Sequence, residues 1–313
     1  MPLQATPPLV IAHRGASGYL PEHTMEAKVL AFAMGADYLE QDLVASRDGE
    51  LLVFHDPYLE ALTDVAVRFP SRARGDGHFY VVDFDLDEIR TLEVLPRRGS
   101  SGAQIFPERY SETGQPFRIH TLQAELTVLG ELNRQLDRRV GVYPEIKLPK
   151  WHHQHGCDLG KLTLSCLAEF GYRHRDDPVF VQCFDPVELL RLRTELKTDL
   201  KLVQLIGTGT EQGVDYEWLA SPMGLREASS VVDGVGPAWQ RLVDDQGKPL
   251  AFTGQAHGLG LAVHPYTFRV EQLPAFSEDL ASLLHHFMAT VGVDGVFCDF
   301  PDQAARVRDS LPP

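Results

Sequence analysis

Seven residues able to do acid–base, metal or phosphate chemistry stand at or near the ends of short apolar runs. His13 and Arg14 follow Val10-Ile-Ala, Glu40 and Asp42 lie in DYLEQDLV (37–44), His55 ends LLVFH (51–55) just before Asp56, and Glu145 and Lys147 close VGVYPEIK (140–147). Residues two apart on a strand share a face, so Glu40 with Asp42, and Glu145 with Lys147, each present paired charges to one side. Imidazoles with an ordinary pKa near 6.5 accept or release protons close to neutrality. Three carboxylates brought together call for a cation. Oxygen-only donors favour a hard divalent ion, Ca²⁺ ahead of Mg²⁺, whereas Zn²⁺ would more often recruit histidine or cysteine. Taken singly, each carboxylate reads equally well as a surface ion pair, and His13-Arg14 as a strand end meeting water.

The elements that must gather them follow from periodicity. Nine β-rich runs (10–13, 37–44, 51–55, 140–147, 179–184, 201–206, 232–236, 261–267 and 295–300) alternate with helical segments at 24–34, 120–136, 158–170, 186–196 and 277–291. That alternation builds a parallel sheet. A TIM (β/α)8 barrel of about 250 residues plus an insertion accounts for the 313-residue length as one domain, 1–313, with the charged residues at strand C-terminal ends around one opening. A doubly wound sheet is the alternative, although no Gly-x-Gly-x-x-Gly follows any run. The extra run is explained by Arg47-Asp-Gly-Glu50, where Asp-Gly is a hairpin signal; a two-residue turn there pairs Asp42 with His55.

Residues 57–116, after the third run, are rich in Arg, Asp, Gly and Ser and read as an insertion at the catalytic face. Their arginines suit either contact with an anionic substrate or, more simply, a solvated loop. Trp151-His-His-Gln-His155 reads as a polar loop at the site mouth in preference to a second metal site. Gln182, Phe184, His264, Tyr266 and Phe300 end later runs and are candidates for a substrate pocket, with core packing the competing reading. Glu22 and His23 precede the first helix, where capping competes with bracing Arg14. The four cysteines show no metal or redox spacing. A net charge of −15 disfavours nucleic acid and anionic membrane surfaces, and no apolar run is long enough to span a bilayer.

The motifs His13-Arg14, Glu40-x-Asp42, Ser46-x-Asp48 and Val53-x-His55-Asp56, with LPEHT, YPEIK, QCFD, VHPYT and DFPD, resemble the signature of glycerophosphodiester phosphodiesterases over nearly the whole chain. The likeness is greatest to the periplasmic, calcium-using branch; Ser46 stands where many members have Thr. The resemblance implies a TIM barrel that hydrolyses glycerophosphodiesters such as glycerophosphocholine and glycerophosphoethanolamine to sn-glycerol 3-phosphate and an alcohol. It implies that His13 and His55 are the acid/base pair, with His13 favoured as base, that Glu40, Asp42 and Glu145 hold the metal, and that Arg14 and Lys147 bind phosphate. It also implies export, whereas MPLQATPP shows neither a basic nor an apolar signal region and points to the cytoplasm if the chain is complete. A barrel phospholipase acting on intact lipid and a non-catalytic phosphodiester-binding module are the rival functions. The sequence leaves the oligomeric state open.

Overall fold

The computed structural model describes residues 7–99, 101–110 and 116–312. The stretch 1–6, read above for an export signal, and residues 100 and 111–115 of the 57–116 segment lie outside the described residues. The strands are β1 Leu9–Ala12, β2 Tyr38–Ala45, β3 Leu51–Val53, β4 Gly141–Ile146, β5 Phe180–Cys183, β6 Lys201–Ile206, β7 Thr210–Glu211, β8 Val214–Asp215, β9 Gly234–Pro237, β10 Ala262–Val263 and β11 Gly295–Cys298. Eight of them run parallel in the order β10-β9-β6-β5-β4-β2-β1-β11. The seam is bridged by backbone bonds from Asp294 N to Val263 O (3.0 Å), Phe297 N to Pro265 O (3.0 Å) and Phe268 N to Phe297 O (2.8 Å). The expected TIM barrel is therefore present.

The connecting helices begin where short polar side chains can satisfy their first amides. Thr24 accepts from Ala27 N ahead of Met25–Ala33, Thr121 from Ala124 N ahead of Leu122–Leu136, and Asp158 from Lys161 N ahead of Leu159–Glu169. Their apolar faces, with the outward residues of the strands, form the main core.

Inside the barrel the strands obey a two-residue rhythm. Ile11, Tyr143, Phe180, Val203 and Phe297 form an apolar plug. Two residues further along four of those strands stand His13, Glu145, Gln182 and Asp299. The plug closes the barrel and sets a dry floor, and the next inward layer carries the polar groups.

Two expectations need correction. β3 does pair antiparallel with β2, but Leu43 faces Val53 and Phe54 N donates to Asp42 O at 2.8 Å, so Asp42 lies opposite Phe54 instead of His55. The reason is the turn: Arg47-Asp48-Gly49 forms a three-residue loop between Ser46 and Glu50, with Gly49 at φ +82°. His55 thus lies beyond the paired part of β3. Second, the described part of the 57–116 segment is not a solvated loop. Leu59, Leu62, Phe79, Phe84, Ile89 and Leu92 bury themselves against Val44, Leu52 and Phe54 of the β2–β3 hairpin in a second core. The hairpin β7–β8 is an element that the apolar pattern does not announce.

The Trp151–His155 stretch is mostly helix, Pro149–Gln154, and the first of its three histidines is structural. His152 is fully buried; its Nε2 accepts from Ala45 N at 3.2 Å and its Nδ1 bonds Lys147 O at 3.0 Å. Burial holds it neutral, with a pKa lowered to about 4. Because the unfolded chain takes up the proton near pH 6.5, this contribution is complete above that pH and is lost as pH falls toward 4. By pH 5 the loss amounts to about 2 kcal/mol. Urea unfolding at pH 7 and pH 5 should show His152→Gln losing less stability between the two than wild type; equal losses would contradict this assignment.

Candidate active site

At the carboxyl ends of the barrel strands the sequence-selected residues meet. Ala12 of β1 lies beside both Cys298 of β11 and Leu39 of β2, so the next residues, His13, Asp299 and Glu40, share one level. His13 Nδ1 meets Asp299 Oδ1 at 2.6 Å, which leaves Nε2 as the ring nitrogen free for chemistry. Burial and the Arg14 charge push the imidazole's pKa down, outweighing Asp299. The chain then turns sharply. Arg14 has φ +58° and Gly15 φ +84°, and a Cβ at Gly15 would lie 2.8 Å from the Ala27 carbonyl carbon, so only glycine lets this turn lie against the first helix.

The turn aims Arg14 into the site. Its amide donates to Glu40 Oε2 at 2.6 Å, its Nη1 to Glu22 Oε1 at 2.7 Å, and its Nε lies 3.3 Å from Asp42 Oδ2. Glu22 therefore braces Arg14, as one of its two readings anticipated. His23 has a different task, bonding Asp42 Oδ2 through Nε2 at 2.7 Å.

Asp42 of β2, Glu145 of β4 and Gln182 of β5 are lateral neighbours on consecutive strands. Lys147, one turn of the pleat beyond Glu145, places Nζ 2.7 Å from Glu145 Oε1, 3.6 Å from Asp42 Oδ1 and 3.1 Å from His55 Nε2. Burial alone would lower Lys147, but Glu145 and Asp42 outweigh it and keep the ammonium charged. His55 Nδ1 is bound to Asp56 Oδ1 at 2.5 Å, and burial with the Arg14 and Lys147 charges lowers its pKa to about 4. Both site histidines are accordingly neutral at pH 7, each with Nδ1 committed to an aspartate.

The carboxylates are short of positive charge. Burial and the neighbouring Asp42 charge push Glu40 well above the ordinary range, and burial drives Glu145 up to about 8 even against Lys147. Gln182 Oε1 is buried without a hydrogen-bond partner while its Nε2 reaches Glu40 Oε1 at 3.5 Å. Three buried carboxylates beside an orphaned amide oxygen form an oxygen-only donor set, and it fits a divalent cation. The potential ligand atoms at this site that lie within 4.8 Å of one another are those of His23, Glu40 and Asp42, with His23 Nε2 spent on Asp42; Glu145 stands beside Asp42 on the next strand with Oε1 on Lys147.

A cavity of about 530 Å³ opens beside His55, Glu145 and Lys147, walled by Trp151, Phe184 and Tyr216. Of the candidate pocket residues, Phe184 lines it, and Tyr266 packs edge-on against Phe184 while its hydroxyl donates to Ile206 O at 3.2 Å. Gln182 sits among the carboxylates. Phe300 packs on Tyr19 and over Gly18, where no side chain would fit, near His13. His264 does not face the cavity: it is buried in the interior, with Nδ1 2.8 Å from the Tyr143 hydroxyl and its ring against Phe180.

Sequence reasoning missed Asp299, Arg97 and Arg109. Asp299 carried a usable signal, since it follows the plug residue Phe297 by two as His13 follows Ile11. Arg97 and Arg109 had none beyond belonging to a basic segment; they reach carboxylates 41 to 190 residues away in sequence.

The chain is similar to known proteins. Residues 13–303 match the glycerophosphoryl diester phosphodiesterase family. The chain is 43% identical to a glycerophosphodiester phosphodiesterase of Haemophilus influenzae over 94% of its own length and 88% of the relative's. It is 35% identical to one of Treponema pallidum over 95% and 91%. A phosphodiesterase of Oleispira antarctica, solved in complex with sn-glycerol-3-phosphate, superposes with a TM-score of 0.64 at 22% identity, covering 97% of this chain and 98% of that one. The match begins at the first site histidine and runs past the last barrel strand, and with it the chain belongs to the glycerophosphoryl diester phosphodiesterase family.

Proposed function

We propose that the protein hydrolyses glycerophosphodiesters, glycerophosphocholine and glycerophosphoethanolamine among them, to sn-glycerol 3-phosphate and the free alcohol. One observation carries the reading: two His–Asp pairs stand at the barrel mouth with Arg14, Lys147 and a three-carboxylate donor set between them. The two curated relatives support it by name.

Cleaving a phosphodiester requires one group to take a proton from the nucleophile and another to give one to the leaving alkoxide. His13, its Nδ1 fixed on Asp299, takes the first proton at Nε2. His55 takes up a proton from solvent at Nε2 once the incoming phosphate's negative charge has raised its proton affinity, and gives it to the leaving alkoxide. Asp299 and Asp56 hold the two rings and favour the charged form of each. Arg14 and Lys147 hold the non-bridging oxygens. Glu40, Asp42 and Glu145 would hold a divalent cation, Ca²⁺ in first place and Mg²⁺ in second, which when bound neutralises charge on the same oxygens. Attack by the glycerol 2-hydroxyl makes a cyclic phosphate that water then opens; direct attack by water gives product at once. Direct attack needs this pair of proton transfers once; the cyclic route needs it twice, with the two histidines exchanging roles when the ring opens.

The test is to supply glycerophosphocholine and micellar phosphatidylinositol to the purified protein with Ca²⁺. Release of sn-glycerol 3-phosphate from the first alone is expected. Turnover of the micellar lipid alone would replace this reading with a phospholipase, and tight binding without turnover would replace it with a binding module.

A further inference from the structure

The 57–116 segment contributes two arginines whose contacts follow one pattern, a fork through Nε and Nη2 onto a glutamate and a further bond to an aspartate. Arg97 forks onto Glu22, with Nε at 3.0 Å from Oε2 and Nη2 at 2.8 Å from Oε1, and its Nη1 donates to Asp56 Oδ2 at 2.7 Å. Arg109 forks onto Glu271, with Nε at 2.6 Å from Oε1 and Nη2 at 2.7 Å from Oε2, and its Nη2 also donates to Asp299 Oδ2 at 2.7 Å. In each case the aspartate divides its oxygens: Oδ1 receives a site histidine and Oδ2 receives the arginine. The forked glutamates sit on barrel loops, Glu22 after β1 and Glu271 after β10. Both arginines are mostly buried, their side chains 18% and 11% exposed. Arg109 is also packed against the Phe106 ring, 4.0 Å from its centroid, and its Nη1 donates to Ser17 O at 3.3 Å.

We infer that Arg97 and Arg109 are positioning residues, by which the inserted segment clamps the two His–Asp pairs of the barrel: Arg97 acts on His55 through Asp56, and Arg109 acts on His13 through Asp299. The inference rests on the hydrolytic reading for its effect on turnover and on geometry alone for its pairing. A carboxylate held at one oxygen still rotates about its Cβ–Cγ bond; held at both, it fixes the direction in which it points its histidine partner. The planar guanidinium suits this task because it can fork onto one carboxylate and keep a donor for another. Arg97 has a second reach, since the Glu22 it forks is also the brace of Arg14. Arg269, with Nε 3.4 Å from Asp299 Oδ2, is a further cation on the His13 side and has no counterpart among the described contacts of Asp56.

The test uses the full chain with Arg97→Lys, Arg97→Met, Arg109→Lys and Arg109→Met, and Arg68→Met as a control from the same segment whose arginine only pairs with Asp64 on the surface. With glycerophosphocholine, both methionine variants should lose on the order of 10- to 100-fold in kcat, as expected for a misaimed catalytic group, with a smaller change in KM. Arg109→Met combined with Asp299→Asn should lose little more than Asp299→Asn alone, because the pair acts as a unit, and Arg97→Met with Asp56→Asn should lose clearly less than the product of the two single losses, the remainder coming from the Glu22 brace on Arg14. Additive losses would overturn the clamp.

A readout independent of turnover, and of whether the methionine variants fold, is proton NMR of the two histidine Nδ1–H signals, assigned by their loss in His13→Gln and His55→Gln. Arg97→Lys should move the His55 signal and leave that of His13; Arg109→Lys should do the reverse. Both signals moving together, or neither moving, would overturn the pairing. Wild-type protein inactive on glycerophosphocholine would refute the hydrolytic reading instead, while the crosswise NMR pattern would still decide the pairing.

Discussion

Alanine in place of His13 or His55 is expected to lower turnover of glycerophosphocholine by 10² to 10⁴, the usual cost of losing a positioned general acid or base, or about 3 to 5 kcal/mol of barrier. Both rings are anchored at Nδ1, by Asp299 and Asp56, which leaves each Nε2 for proton transfer, that of His55 beside Lys147 Nζ at 3.1 Å. The two losses should not add: in His13→Ala/His55→Ala the residual rate should resemble that of the weaker single variant, because each proton transfer is useless without the other. Initial rates with saturating substrate and metal measure this. Near wild-type turnover in either single variant would remove that histidine from the mechanism.

The second large effect concerns the carboxylates. Burial and mutual repulsion hold Glu40 and Glu145 above their ordinary range, Glu145 at about 8, so without metal the contribution of these two groups to stability falls as pH rises from near 4.5 toward 8, because the unfolded chain ionises first. Glu145→Gln mimics the neutral carboxyl. At pH 7 without metal it should be no less stable than wild type. Calcium at 100 times its dissociation constant should stabilise wild type by about 2.7 kcal/mol and do far less for Glu145→Gln or Asp42→Asn. Thermal unfolding with and without Ca²⁺ reads both signs at once. Equal calcium stabilisation of wild type and Glu145→Gln would take Glu145 out of the donor set.

How much of this was legible in the sequence depends on distance along the chain. All nine apolar runs became strands, and in four of them the plug residue and a polar site residue stand two apart, as in Tyr143 and Glu145. Alternation also sufficed to put Glu40 with Asp42 and Glu145 with Lys147. The hairpin register failed by one residue because Asp-Gly fits a two-residue turn and a three-residue loop with glycine in the left-handed position equally well. His55 reached the site anyway, since it leaves the sheet after β3. β7 and β8 were missed for want of apolar residues in Thr210-Glu-Gln-Gly-Val-Asp215. The partners of the histidines were partly hidden: Asp56 is adjacent to His55, whereas Asp299 lies 286 residues from His13 and meets it only because the barrel closes β11 onto β1. Nor could charge composition show that Arg97 and Arg109 of the 57–116 segment end buried on carboxylates, since that depends on the second core formed by Leu59, Phe79, Phe84 and their neighbours. His264 stands at a strand end, yet it belongs to the interior because its neighbours Tyr143 and Phe180 occupy the plug level.

The most direct test of the central claim is release of sn-glycerol 3-phosphate from glycerophosphocholine by protein stripped with a chelator, then assayed with Ca²⁺ or Mg²⁺ restored separately. The account predicts no release from the stripped protein and recovery with a divalent ion, fuller with Ca²⁺. Undiminished release from the stripped protein would contradict the role given to Glu40, Asp42 and Glu145, and no release with either ion would contradict the hydrolytic function itself.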